Sequence, residues 1–302
     1  MVEPSCFLLP QTPYSVIQFS GEDRLEWLQG QITNDIRHLK PRGSLGFAMC
    51  KPTGQMISVG KLYAVADRVV MVVPTVTVGD ILQRVDSFVI MEDVEATAMT
   101  SHLLFSIQGP GSSEFLTEQV RQTNDLYGLI DEGLWIYPND RSGLGGYDIL
   151  VPTESMPNWL KELPCCSEAK QNELEILHGF ARWGVEIQAK TLPAELGEKF
   201  LSEHVSYNKG CYTGQEVIMR MHSRGHANWK WMRADIDGIP TENAALSHPE
   251  RDEAGQILRF ASLESGRAVA SVRVRAEVAN EGEELWVNGP EPKLKAALHE
   301  YR

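Results

Sequence analysis

From Ser15 to Ile36 the chain runs SVIQFSGEDRLEWLQGQITNDI. Val16, Ile17 and Phe19 are β-formers, Ser20-Gly21 breaks the run, and Leu25, Leu28 and Ile32 return at helical spacing. The segment therefore predicts strand, turn, helix. Gly46 to Pro74 predicts a β-meander: GFAMC, a Lys-Pro-Thr-Gly turn, QMISVGKLYAVA, an Asp-Arg turn and VVMVVP. Asp80 to Val89 predicts an amphipathic helix with Ile81, Leu82, Val85 and Phe88 on one face. HLLFSIQGPGSSEFL, from His102 to Leu116, repeats the strand-turn-helix order of the first segment and points to a loose internal repeat of structure.

Further along, Gly133 to Pro138 and Gly146 to Val151 predict paired strands around the turn NDRSGLGG. Asn158 to Leu163 and Gln171 to Phe180 predict helices. From Trp229 the texture changes to short strands at regular spacing: WKWMRADID, QILRFASL, AVASVRVRAEV, ELWVNG and KLKAALHEY. That pattern predicts a small terminal barrel. Asp237 to Glu253 is the expected mobile loop.

A length of 302 residues suits about two domains with a sizeable core. Hydrophobic residues at 42% and charged residues at 23% belong to a soluble globular protein. The net charge of −13 argues against a broad nucleic-acid surface. The one dense basic stretch, Arg220, His222, Arg224, His226, Lys230 and Arg233, is either a steering patch for an anionic ligand or a solvated barrel edge. The opening MVEPSCFLLPQTPY has no basic n-region, so no signal peptide is expected, and no apolar run is long enough for a membrane span. The cysteines are Cys6, Cys50, Cys165, Cys166 and Cys211. An odd count without CxxC argues against a disulfide scaffold and a zinc site, and the expected home is the cytoplasm.

The lone thiol of KGCYTGQEVIMR, Lys209 to Arg220, has a distinctive setting. Thr213 and Glu216 fit a capping box that would start a helix at Gly214, continued by Val217, Ile218 and Met221. Cys211 would then precede a helix N-terminus, with Lys209 as a neighbouring cation, and both features favour thiolate. The other reading of Cys211 is a small buried hydrophobe.

The motif KGCYTGQE, with its flank LPAELGEKFLSEHVSYNKGCYTGQEVIMR, resembles the YgfZ-type folate-binding proteins, relatives of the glycine-cleavage T-protein (aminomethyltransferase) superfamily. GFARWGVEI is similar to the family's G-x-P-R-W-G-x-E run, with Ala181 in place of proline, and FSGEDRLEWLQGQITNDI to its opening helix and LQGQxTND ending. The resemblance covers nearly the whole chain. It implies an α+β fold: two interleaved α+β domains plus a C-terminal β-barrel, set as a three-lobed ring around a folate channel. Residues 1–46 with 103–190 would form the first domain, 47–102 with 191–223 the second, and 224–302 the barrel. It also implies binding of tetrahydrofolate or another reduced folate. The implied role is assembly or repair of iron–sulfur enzymes, including tRNA-modifying ones. The partners would be folate and iron–sulfur client or assembly proteins, with the chain itself a monomer.

The resemblance makes Cys211 the functional thiol. Lys209 either tunes it, holds an anion on the channel wall, or is an ordinary solvated lysine. Asp148 in GGYDILVP falls where the aminomethyltransferases carry a glutamate that grips the pterin. A pterin's ring N–H and exocyclic amine are adjacent donors that one carboxylate can accept together. Gly143, Gly145 and Gly146 would let the backbone approach a flat ring, and the plainer reading of Asp148 is a solvent-facing strand aspartate. Arg182 offers a guanidinium for a folate carboxylate and Trp183 an indole to flank a ring; alternatively they are a surface ion pair and core packing. Tyr212 is ligand contact or core, and Gln215 and Glu216 complete the expected folate contacts. Two departures separate the chain from the aminomethyltransferases. The run GQMISVGKLY lacks their acid pair, and VVPTVTVGD stands where they have a V-N-A-type segment. No general acid or base for one-carbon transfer is evident. Three readings follow: an iron–sulfur maintenance factor working through Cys211, a folate-dependent aminomethyl- or methyltransferase, and a folate-binding docking module.

Overall fold

The computed structural model of the chain describes residues 5–10, 13–41, 43–65, 68–120, 128–130, 133–225, 227–289 and 293–301. Residues 66–67, expected at the turn before VVMVVP, and His226 lie outside them. The chain divides into two compact units, Met1–Cys50 with Ile57–Gln171 and His204–Thr213, and Lys51–Met56 with Asn172–Glu203 and Gly214–Arg302.

The first unit runs β1 (Phe7–Leu8), β2 (Tyr14–Ser20), α1 (Arg24–Gln31), β3 (Ser44–Cys50), β4 (Met56–Val65), β5 (Arg68–Pro74), α2 (Val78–Phe88) and β6 (Glu95–Ala98). It continues with β7 (His102–Gln108), α3 (Ser112–Val120), β8 (Gly128–Ile130), β9 (Leu134–Pro138), β10 (Gly146–Pro152) and α4 (Asn158–Glu162). The strands form two five-stranded sheets, ordered β3-β4-β5-β2-β6 and β8-β9-β10-β7-β1. Strand, helix, three strands and helix recur in the same order with the same sheet positions, so the repeat expected from the sequence is present. Only the last place differs, filled by β6 in one sheet and by the N-terminal β1 in the other. Within this unit β2 pairs with β5 and β6, so the strands of residues 14–20 and 44–98 share one sheet.

Strand β5, RVVMVVP, explains the layering. Val69, Met71 and Val73 face a cluster with Trp27 and Leu28 of α1 and Ile81 and Val85 of α2. The alternate residues Val70 and Val72 face Trp135, Tyr137 and Leu150 of the other sheet. A strand buried on both sides needs this continuous apolar run. The far face of the second sheet, Ile107, Ile136, Ile149 and Val151, packs with Leu116 of α3 and Leu160 of α4. The unit is thus helices, sheet, sheet, helices. Phe88, expected on the buried face of α2, is 52% exposed, and Arg84 is buried there instead.

Helix α5 (Glu168–His178) leads into the second unit, which holds α6 (Gly197–His204), α7 (Gln215–Arg224) and the strands β11 (Trp229–Ile236), β12 (Ala245–His248), β13 (Arg251–Ser262), β14 (Ala268–Arg275), β15 (Glu284–Val287) and β16 (Leu294–His299). The strands close a barrel in the order β11-β14-β13-β12-β15-β16. Alternation fills it: Met232, Ala234 and Ile236 from β11 meet Ala268, Ala270, Val272 and Val274 from β14. The expected loop from Asp237 to Glu253 instead contains β12 and the start of β13, paired with each other. No helix among the described residues is long and apolar enough to cross a membrane.

Candidate functional site

The stretch LQGQITND and the KGCYT half of KGCYTGQE come together in the first unit. Lys209 is buried, and its ammonium donates to the main-chain carbonyls of Gln29 at 2.7 Å, Ile32 at 2.7 Å and Asn34 at 2.8 Å. Those carbonyls lie at and just beyond the C-terminus of α1, where four carbonyls lack helical partners and the dipole favours a cation. Three protons meet three acceptors. On the same segments Thr213 N–H donates to the Gly30 carbonyl at 3.2 Å and Ser206 N–H to the Thr33 carbonyl at 3.0 Å. The Thr33 hydroxyl donates to the His204 carbonyl at 2.6 Å. Burial lowers the Lys209 pKa to about 8. Lys209 is neither a solvated lysine nor a free cation on a channel wall; it latches the Cys211 loop to α1.

Within that loop the burial alternates. Lys209 and Tyr212 are buried, while Gly210 and Cys211 are exposed. The Lys209 ammonium stands 4.9 Å from the Tyr212 ring centre, and burial raises the pKa of the Tyr212 hydroxyl. Tyr212 is therefore a packing residue, and Cys211 is a free thiol in solvent rather than a buried hydrophobe. The expected capping box is absent. Helix α7 starts at Gln215, capped by Gly214 in the left-handed region at φ 88° with no side-chain cap bond. A left-handed residue suits glycine. It moves the helix start one residue, from Gly214 to Gln215, and the Thr213 N–H is already bonded to Gly30.

A second polar cluster lies between the two sheets. Tyr147, Ile149 and Val151 of β10 face the helices, so alternation turns Asp148 and Leu150 toward the opposite sheet. Asp148 is 1% exposed, which excludes a solvent-facing strand aspartate. Its Oδ1 accepts from Arg141 Nε at 2.9 Å. Its Oδ2 accepts from Arg141 Nη2 at 2.7 Å, Asn139 Nδ2 at 2.7 Å and the Tyr63 hydroxyl at 2.8 Å. Burial acts to raise the Asp148 pKa, but the Arg141 charge and the bonds from Arg141, Asn139 and Tyr63 outweigh it and hold the carboxyl below its ordinary value. The Arg141 guanidinium also lies 4.5 Å over the Tyr14 ring. Sequence reasoning placed Arg141 and Asn139 only in a turn and gave Tyr63 and Tyr14 no role.

A carboxylate offers about four acceptor positions. In this structure four donor bonds of the chain's own reach it, one on Oδ1 and three on Oδ2, and the Arg141 fork takes one position on each oxygen, as a pterin's paired donors would. The Asp148 set has the chemistry to receive a pterin edge, in exchange for Arg141. Gly146 does not leave room for a ring: a Cβ there would meet the Gln108 side chain at 2.3 Å.

The remaining expected contacts, Arg182, Trp183, Gln215 and Glu216, belong to the second unit. Arg182 is ion-paired with Glu175, and its N–H donates to Glu186 at 2.8 Å. Glu186 also accepts from Arg259 Nε at 2.5 Å and the Ser271 hydroxyl at 2.6 Å, and Arg259 reaches Glu175 at 2.8 Å. GFARWGVEI thus builds an ion-paired joint between α5 and the barrel strands, and Arg182 serves that joint. Trp183 is half-buried, Gln215 half-buried and Glu216 exposed. In the basic stretch, Lys230 pairs with Glu300 and Arg233 with Asp235. Among the described residues, no group of three or more His, Cys, Asp or Glu is placed to hold a metal ion.

No protein-family model matches the chain. It is 24% identical over 306 residues to the tRNA-modifying protein YgfZ of Colwellia psychrerythraea, covering 93% of this chain and 87% of that protein. It is 25% identical over 269 residues to the tRNA-modifying protein YgfZ of Hamiltonella defensa, covering 84% and 78%. Its structure is similar to that of glycine cleavage system aminomethyltransferase T from Bartonella henselae, with a TM-score of 0.83 at 16% identity, covering 98% of this chain and 85% of that one. At that identity the likeness carries the fold alone. Its two signature stretches are latched together, and along nearly its whole length the chain is similar to the YgfZ proteins, with the fold of the glycine-cleavage aminomethyltransferase.

Proposed function

We propose that this chain is a tetrahydrofolate-binding factor that supports the assembly or repair of iron–sulfur enzymes, including tRNA-modifying ones, with Cys211 as its working thiol. The observation that carries the proposal is the latch. Three carbonyl bonds from buried Lys209 hold a loop whose next two residues, Gly210 and Cys211, face solvent. A thiol held outward on a fixed loop can reach a partner's cluster or thiol without unfolding its surroundings. The relatives named tRNA-modifying protein YgfZ supply the tRNA-modification reading.

Asp148, backed by Asn139 and Tyr63, would hold the pterin. A reduced folate supplies a one-carbon carrier when bound, and these residues bind and orient it. The transferase reading has less support, because the strand GQMISVGKLY provides no acid beside the site. We place the protein in the cytoplasm as a monomer, consistent with five free cysteines.

The test is expression of this chain in bacteria lacking their own YgfZ-type protein. Iron–sulfur enzyme activity and iron–sulfur-dependent tRNA modification should both recover. Failure of a well-expressed, folded chain to restore either would overturn the proposal. Turnover of tetrahydrofolate with a one-carbon donor would favour the transferase instead.

A further inference from the structure

We propose that Arg141 is a resident competitor for the folate site, and that a pterin enters by replacing its guanidinium on both Asp148 and the face of Tyr14. The inference rests on the reading that the pterin binds at Asp148. It adds two residues, Arg141 and Tyr14, and a ligand class: a planar ring with a guanidine-type edge.

The chemistry of the resident group argues for this. A guanidinium is planar and presents two parallel N–H groups to a carboxylate. The pyrimidinone ring of a pterin contains the same unit, a ring N–H and an exocyclic amine on one carbon. Arg141 makes the paired contact with Nε on Oδ1 and Nη2 on Oδ2, at 2.9 and 2.7 Å. Its guanidinium carbon lies over the Tyr14 ring, 4.5 Å from the ring centre. A pterin donating to the same two oxygens would find an aromatic face already in place.

Arg141 is also the member of the cluster best placed to leave. Its side chain is 15% exposed, against 0% for Tyr63 and 4% for Asn139. Its backbone is fixed: Arg141 N–H donates to Gln108 Oε1 at 2.8 Å, and Asp140 Oδ1 accepts from the N–H groups of Ser142 and Gly143. Rotation of the side chain alone releases the fork. Asn139 and Tyr63 stay on Oδ2 and keep the carboxylate oriented. Because the binding-competent state lacks a buried ion pair, it is a minority state, and the apparent affinity falls by its fraction.

The test is calorimetric titration of the wild type, Arg141→Ala and Arg141→Lys with 5-formyltetrahydrofolate. Melting curves of the same proteins are recorded with and without isocytosine, which carries only the pyrimidinone edge. Arg141→Ala should bind the folate about tenfold more tightly or better. It should melt lower than wild type and be raised by isocytosine, whereas the wild type is not. If Arg141→Ala fails to fold, Arg141→Lys keeps the charge but loses the planar fork and should still bind more tightly than wild type. Folate affinity in the folded variants equal to or weaker than wild type would overturn the competitor and leave the folate reading standing. No binding by any of the three proteins would overturn that reading and this inference together.

Discussion

The ammonium of Lys209 donates to the main-chain carbonyl of Ile32 at 2.7 Å, across 177 residues of sequence. The bond is one of three that tie the KGCYTGQE loop to the end of α1.

Lys209→Met should therefore act on both segments at once. It leaves three carbonyls without their donor, each unmet buried acceptor costing about 1–3 kcal/mol, while it also relieves the burial of a cation. A net loss of about 2–4 kcal/mol is expected in urea unfolding. Hydrogen exchange read by mass spectrometry should quicken in residues 28–35 and 204–213 together. Wild-type exchange in either segment would show that the latch does not hold them.

Asp148→Asn should destabilise the protein by about 3–5 kcal/mol at pH 7, because it strands the buried Arg141 cation. The carboxyl's folded pKa lies below its unfolded value of about 3.9. The unfolded chain then binds more protons between the two, so the contribution is whole above about pH 4 and drains away as pH falls through the folded pKa. Unfolding of the two proteins should give a gap that is constant from pH 7 to 5 and narrows below about pH 4. A gap that persists unchanged under strong acid would contradict the assignment of Asp148 as an ionised, paired group.

In the second unit, Arg259→Met strands the buried carboxylate of Glu186, while Glu175 keeps its Arg182 partner, and should cost about 3–5 kcal/mol. Arg182→Ala removes a pair whose arginine is 38% exposed, so solvent screening leaves about 0–1 kcal/mol at stake. Thermal unfolding ranks the two. Equal losses would mean that Arg182, not Arg259, anchors the joint.

The parts of the fold that were legible in the sequence are those set by side-chain period. Alternation in WKWMRADI and AVASVRVR gave the barrel, the two-sided run in RVVMVV gave a buried central strand, and the recurring strand-turn-helix order gave the repeat. The site was legible only in outline. Lys209 was singled out, but its acceptors are backbone carbonyls, which leave no mark in a sequence. Arg141 passed for a turn residue because its partner Asp148 stands across the hairpin that the turn closes. Thr213 looked like a cap because the left-handed Gly214 that starts α7 is visible only in the backbone. The ion-pair reading of Arg182 had no named partner, because Glu175 lies one helix earlier and carries no local signal.

The most direct measurement is complementation by Cys211→Ser, set beside a melting curve of the purified variant. The side chain is exposed, so the change should shift stability by no more than about 0.5 kcal/mol. It also leaves the Lys209 latch and the Asp148 cluster untouched. In bacteria lacking their own YgfZ-type protein, the serine variant should melt with the wild type yet restore neither iron–sulfur enzyme activity nor tRNA modification. Full rescue by a stably folded serine variant would contradict the account, leaving the latch to hold a loop whose thiol does no work.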